Sequence, residues 1–200
     1  MLPTNEPLVI VISGTSGAGK DSIIKALRKR GLPFHFVVTA TSRPQRPTEV
    51  DGVDYIFVSK VRFTEMIARD ELIEYALVYG DYKGVPREQV ENALASGKDV
   101  ILRVDVQGAL SLRRQFPQAV LIFVSAEDTS DTAERLENRS TEAQEALRLR
   151  LETAHAEMKH LPAFDYWVIN RRDQLERTVD IVIAIIEAEH HRVSRRKGIQ

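Results

Sequence analysis

Three groups of residues in this chain can do chemistry on phosphates. The first is Gly14-Thr-Ser-Gly-Ala-Gly-Lys20, set between a β-branched run, Leu8-Val-Ile-Val-Ile12, and an amphipathic stretch from Ser22 to Lys29. Glycines there let backbone N–H groups converge on phosphate oxygens, and a helix N-terminus adds unsatisfied donors. A lysine at position 20 then reaches the β- and γ-phosphates of a nucleoside triphosphate. The expected donor is ATP, held by Gly14, Thr15, Ser16, Gly17, Ala18, Gly19, Lys20, Asp21 and Ser22. Loops of this kind normally carry Ser or Thr after the lysine, as a Mg²⁺ ligand. Asp21 stands there instead: its carboxylate suits a hard cation, which makes it the expected Mg²⁺ ligand, yet it adds negative charge beside a triphosphate.

The second group is Thr39-Ala-Thr-Ser-Arg43-Pro-Gln-Arg46-Pro, continued by Glu49, Asp51, Asp54 and Tyr55. Prolines keep Arg43 and Arg46 off one regular helix, but an extended loop can bring both to a single phosphate, with the Tyr55 hydroxyl beside them. Arginine forks suit that task because they make charge-assisted, bidentate bonds to phosphate oxygens. The third group is Arg135 and Arg139, four apart and so on one helical face, followed by Arg150.

These residues need a scaffold, and the apolar pattern supplies one. Buried strands are expected at Leu8–Ile12, Asp99–Val104 and Val120–Val124, further strands at Phe34–Ala40 and Tyr166–Ile169, a short strand at Tyr55–Val58, and short strands with a turn between Leu72 and Tyr82. Helices are expected at Ser22–Lys29, Arg62–Arg69, Glu88–Ala95, Asp131–Arg139, Glu142–Lys159 and Gln174–His191. Apolar strands alternating with helices predict an α/β fold, a parallel sheet covered on both faces, with a small mixed insertion between about 36 and 86. Trp167, Val179, Val182 and Ile186 are expected in the core.

Composition narrows the partners. The chain has 200 residues, a net charge of −1 and no cysteine. A near-neutral chain gives no field that selects nucleic acid or an anionic membrane. Its longest apolar run near the start is too short for a membrane span, and lack of thiols excludes disulfides and thiolate metal sites. The five histidines show no metal-binding spacing. A cytoplasmic enzyme acting on small molecules is the expectation, with neither nucleic acid nor membrane as partner.

From about Val9 to Glu189 the sequence resembles the guanylate kinase family. The resemblance rests on the loop at 14–20, the Arg43/Arg46/Tyr55 block, Gly80-Asp-Tyr-Lys-Gly84, Asp105-Val-Gln-Gly108, and Arg135, Arg139 and Arg150. It implies one P-loop domain over 1–200, a three-layer sandwich. Its core would be formed from about 5–36, 87–130 and 160–192, its acceptor-binding subdomain from about 37–86 and its helical lid from about 131–158. The implied reaction is ATP-dependent phosphorylation of GMP. Position by position it implies that Arg43, Arg46 and Tyr55 bind the GMP phosphate and that Glu74 reads guanine. Thr39, Lys83 and Asp105 lie close by, and Asn170 sits near adenine. It implies that Lys20, Arg43, Arg135, Arg139 and Arg150 act on the transferring phosphoryl group.

Three positions depart from the family pattern. Lys83 replaces a tyrosine, Val85 replaces a Ser or Thr that donates to the guanine carbonyl, and Arg103 stands where an acidic residue usually precedes Asp105 by two. Those departures leave open a kinase of the same fold with another acceptor, such as ribose 1,5-bisphosphate. A non-catalytic binding module is disfavoured by the intact Gly14, Gly19 and Lys20.

Overall fold

The computed structural model describes residues 6–78, 80–127 and 152–193. Two sheets organise them. The larger is built from β1 (Val9–Gly14), β2 (His35–Phe36), β7 (Val100–Arg103), β8 (Val120–Ser125) and β9 (Tyr166–Ile169), all parallel, in the order β2-β7-β1-β8-β9. Continuous β-branched runs suit this position because both faces of the sheet are covered, and every residue of β1 and β8 is buried.

Two helical layers do the covering. On one face α1 (Lys20–Lys29) and α6 (Leu175–His190) pack Ile23, Leu27, Val179, Val182 and Ile186 against Ile10, Ile12 and Ile122. On the other, α3 (Arg87–Ala95) and α4 (Val106–Gln115) pack Val90, Ala93, Ala109 and Leu112 against Val11, Leu102 and Leu121. The result is the expected three-layer α/β sandwich, with Val179, Val182 and Ile186 in its core.

The smaller sheet is mixed. β3 (Ala40–Thr41), β4 (Ile56–Phe57), β5 (Leu72–Val78) and β6 (Asp81–Pro86) lie in the order β4-β3-β6-β5, with β5 and β6 forming a hairpin. Helix α2 (Lys60–Ala68) begins at Ser59, whose Oγ accepts from the Arg62 N–H at 3.0 Å, and buries Phe63 and Met66 against Ala40 and Leu72. A further helix, α5, covers 152–158.

Two expectations need correction. Phe34–Ala40 is not one strand: it splits into β2 and the start of β3, which belong to different sheets. The chain leaves the large sheet after the Val37 N–H donates to Ile101 O at 3.1 Å, because the Thr39 carbonyl is taken by Ile56 on the small one. Trp167 is not core. It lies on β9, the outer strand of the large sheet, is 53% exposed, and donates its indole N–H to Ser125 Oγ at 3.0 Å.

Candidate functional site

The chemistry-bearing residues collect at the carboxyl ends of the parallel strands. β1 lies between β7 and β8, where the strand order reverses, and an open α/β sheet forms its crevice at such a point. The glycine loop leaves β1 there. Gly14 has a φ of +126°, and a Cβ at that position would fall 1.9 Å from Val124 O, so only glycine fits. The Thr15 N–H donates to Val124 O at 3.0 Å, which ties the loop to β8. Asn170, just beyond β9, is buried and donates from Nδ2 to Ala18 O at 2.9 Å, while its Oδ1 accepts from Thr178 Oγ1. The side chain expected near adenine thus braces the loop from behind.

Within the loop, Lys20 Nζ donates to Gly14 O at 2.7 Å and Thr15 O at 2.8 Å. Burial lowers its pKa, against the pull of Glu157 and Asp21. Glu157, on α5, places Oε2 2.8 Å from the Ser16 nitrogen and accepts its N–H. A carboxylate therefore rests on one of the backbone donors expected to face phosphate. Burial raises the pKa of Glu157, opposed by Lys20 and by that N–H bond. Gly17 and Gly19 both have positive φ, and Ser22 is exposed on the first turn of α1.

Asp21 is ion-paired. Its Oδ1 lies 2.6 Å from Arg103 Nη1, and Arg103 also donates to the Asp54 carbonyl at 3.0 Å. Among the described residues no cluster of three or more His, Asp or Glu side chains could hold a metal ion by itself, so a Mg²⁺ site here would draw on few protein oxygens. That fits Mg²⁺, which keeps several waters and is carried largely by the phosphates it accompanies.

The acceptor-side residues come from the small sheet and its loops. Arg43 lies over the Tyr55 ring at 4.9 Å and over Phe57 at 5.5 Å, and its fork grips both oxygens of Glu49. Burial alone would lower the Arg43 pKa, but the Glu49 pairing outweighs it and holds the guanidinium above its usual range. Glu49 is held below the usual carboxylate range because the Arg43 bonds outweigh its own burial. Tyr55 is buried, and Arg103 covers its ring at 4.5 Å. Arg46 stands apart from this stack: it is exposed, and its backbone N–H donates to Glu49 Oε2 at 3.0 Å.

At the other end of the cleft is a carboxylate pair. Glu74, on β5, is only 6% exposed, and its side chain makes no hydrogen bond or ion pair with another described residue. Its pKa is raised to about 8, first by burial and then by the charge of Asp105. Asp105 caps α4, its Oδ1 accepting the Gly108 N–H at 2.8 Å. Gly108 makes room for the pair, since a Cβ there would lie 3.0 Å from the Glu74 carboxylate. Thr39 is buried and donates to Arg103 O at 3.3 Å. Lys83 has its pKa lowered by burial, against attraction from Asp105 and Asp21. Val85 is fully buried among Ile73, Val90 and Leu102.

Sequence reasoning brought together the loop, Arg43 with Tyr55, and Glu74 with Asp105. Arg135, Arg139 and Arg150 lie outside the described residues, as does most of the expected lid. Reading the sequence missed four participants: Glu157, Glu49 as the counterion of Arg43, Gly108, and Arg103 as the partner of Asp21. Only the last had a signal, since Asp21 and Arg103 both break the family pattern with opposite charges.

A sequence model described as guanylate kinase matches residues 6–189. The chain is 48% identical over 197 residues to guanylate kinase 2, chloroplastic/mitochondrial, of Oryza sativa subsp. japonica, covering 98% of this chain and 69% of that protein. It is 40% identical to a guanylate kinase of Desulfitobacterium hafniense, with 96% and 95% covered. Among solved structures, guanylate kinase from Anaplasma phagocytophilum superposes with a TM-score of 0.83 at 28% identity, over 100% of this chain and 94% of that one.

Proposed function

The chain belongs to the guanylate kinase family, and on that premise we propose that it transfers the terminal phosphoryl group of ATP to GMP. One observation carries the choice of acceptor. The Glu74 side chain, 6% exposed, accepts no hydrogen bond from a described residue and lies beside a second carboxylate, with its oxygens not fully enclosed. Such a group is costly until something supplies donors. The N1–H and exocyclic amine of guanine are two parallel donors of the right kind, and a carboxylate accepts both.

In this reading the loop from Gly14 to Gly19 offers backbone N–H groups to the donor phosphates. Lys20 exchanges its bonds to Gly14 O and Thr15 O for phosphate oxygens, and Glu157 leaves the Ser16 N–H. Arg43 exchanges Glu49 for the acceptor phosphate, with Tyr55, Lys83 and Arg46 around it. An acceptor phosphate oxygen attacks the γ-phosphorus, and the bond to the β–γ bridging oxygen breaks with its electron pair leaving on ADP. No general base is needed, because the attacking oxygen is already anionic. Alignment and charge stabilisation do the work. Mg²⁺ entering with ATP would neutralise phosphate charge, and Asp21 is the side chain that would hold it. Arg135, Arg139 and Arg150, outside the described residues, are the further cations that the family resemblance assigns to the transferring phosphoryl group.

We place the reaction in the cytoplasm. A chain without cysteine suits that reducing compartment, and no described helix is long and apolar enough to cross a membrane. The test is a coupled assay in which GMP, AMP and ribose phosphates compete. GMP is expected to win by at least ~100-fold in kcat/KM, with Arg43→Ala raising KM for GMP about tenfold or more and lowering kcat less. Equal turnover of a ribose phosphate overturns the acceptor assignment.

A further inference from the structure

Arg103 sits where the two pockets meet. It ends β7, one strand away from β1 in the rigid sheet, in register with Ile12. Its guanidinium does three things at once. Nη1 reaches Asp21 Oδ1 at 2.6 Å, Nη2 donates to the Asp54 carbonyl at 3.0 Å, and the plane covers the Tyr55 ring at 4.5 Å. Asp21 is next to Lys20 on the donor side, whereas Asp54 and Tyr55 belong to the acceptor side, where Arg43 lies over the same Tyr55 ring.

Two other cations touch this stretch. Lys25 pairs with Asp54 at 3.0 Å and Arg28 donates to Val53 O at 2.9 Å. The Lys25 side chain is 54% exposed, against 12% for Arg103. Solvent screens the first contact far more than the second. A lysine in place of Arg103 has no planar fork with which to bond two oxygens and stack on a ring together.

We propose that Arg103 is a positioning residue: anchored on Asp21 beside the donor loop, it fixes the Asp54–Tyr55 turn and so sets the acceptor-phosphate cage at a defined distance from the donor. The inference rests on the kinase reading above and deepens it, because it assigns acceptor placement to the paired departures at 21 and 103. Asp21 also gains: its charge beside the triphosphate is offset by the group that the acceptor side uses as its anchor.

The experiment is steady-state kinetics with ATP and GMP, plus thermal midpoints, for wild type, Arg103→Met, Arg103→Lys, Asp21→Asn and the double variant Asp21→Asn/Arg103→Met. Arg103→Met is expected to raise KM for GMP about tenfold while KM for ATP moves less than about threefold. Arg103→Lys recovers only part of that loss. The double variant falls within about twofold of Arg103→Met, because the pair acts as one unit. A GMP KM within about twofold of wild type in folded Arg103→Met, whatever its thermal midpoint, overturns the proposal, and so do multiplicative losses in the double variant. If Arg103→Met does not fold, Asp21→Asn decides, since an unchanged GMP KM there overturns it equally. Wild type is the control: failure to turn over GMP rejects the kinase reading itself, whereas normal wild-type turnover with unshifted variants rejects the positioning role alone.

Discussion

The two sheets solve different problems with different materials. The large parallel sheet is apolar on both faces and holds its ligand-facing groups as backbone: N–H donors at the end of β1, tied down by Val124 O and Asn170. The small mixed sheet has two-residue strands at β3 and β4, a core of only Ala40, Phe63, Met66 and Leu72 with a few half-buried neighbours, and presents its chemistry as side chains. Those side chains are kept in place by internal partners, Glu49 under Arg43 and Arg103 over Tyr55. The difference teaches that the backbone cradle is shaped chiefly by packing, with Glu157 resting on one of its N–H donors, whereas the side-chain cage is held by ion pairs and ring contacts.

The contrast can be broken most severely at Gly14. Gly14→Ala forces a Cβ into Val124 at a φ that disfavours it, and is expected to cost more than about 3 kcal/mol of stability, read as a fall in thermal midpoint together with loss of ATP binding. Lys20→Ala is the complementary probe. It removes a charge and two bonds to loop carbonyls, so kcat is expected to fall about 10²–10³-fold, with a smaller fall in midpoint than in Gly14→Ala.

Glu74→Gln sharpens the side-chain half. The folded pKa of about 8 lies above the ordinary 4.5, so the folded protein binds the proton more tightly than the unfolded chain does. That contribution is complete below about pH 4.5 and is lost as pH rises through 8, a drop of up to about 5 kcal/mol that denaturant titration across pH should show and Glu74→Gln should flatten. The sign for ligand binding is opposite. Guanine needs the ionised form, so GMP affinity is expected to improve between pH 6 and 8 in wild type and to lose that slope in Glu74→Gln. The smallest effect is expected at Arg30, which staples α1 to Glu176 and Asp180 of α6 on the surface. Arg30→Ala should shift stability by only about 0.5 kcal/mol, within a degree or two of midpoint.

These residues also explain what could be read without coordinates. The donor loop was legible because its glycines, its lysine and the flanking β-branched run are contiguous, and local spacing encodes a backbone cradle. The mixed region was legible in kind but not in register. Its strands are too short for periodicity to place, so the change of sheets after Val37 left no pattern. Glu157 and Gly108 were invisible as site residues because one acts on a loop far off in sequence and the other through absent bulk, whereas Glu49 stood in the arginine block without its pairing to Arg43 being read. Trp167 misled for a different reason. The β9 segment reads as an apolar run, but as the outer strand it has an open face, and strand order is not written in composition.

The aromatic residues are divided between the two sheets, and that makes the molecule its own optical instrument. Trp167 is the sole tryptophan and lies half-open to solvent on the large sheet, whereas four of the five tyrosines, Tyr55, Tyr75, Tyr79 and Tyr82, fall within 37–86. Indole emission therefore reports on the outer strand of one sheet, and phenol absorbance chiefly on the other region. The melting of each can be followed in unlabelled protein, and two non-coincident transitions would reveal that the small sheet lets go before the large one.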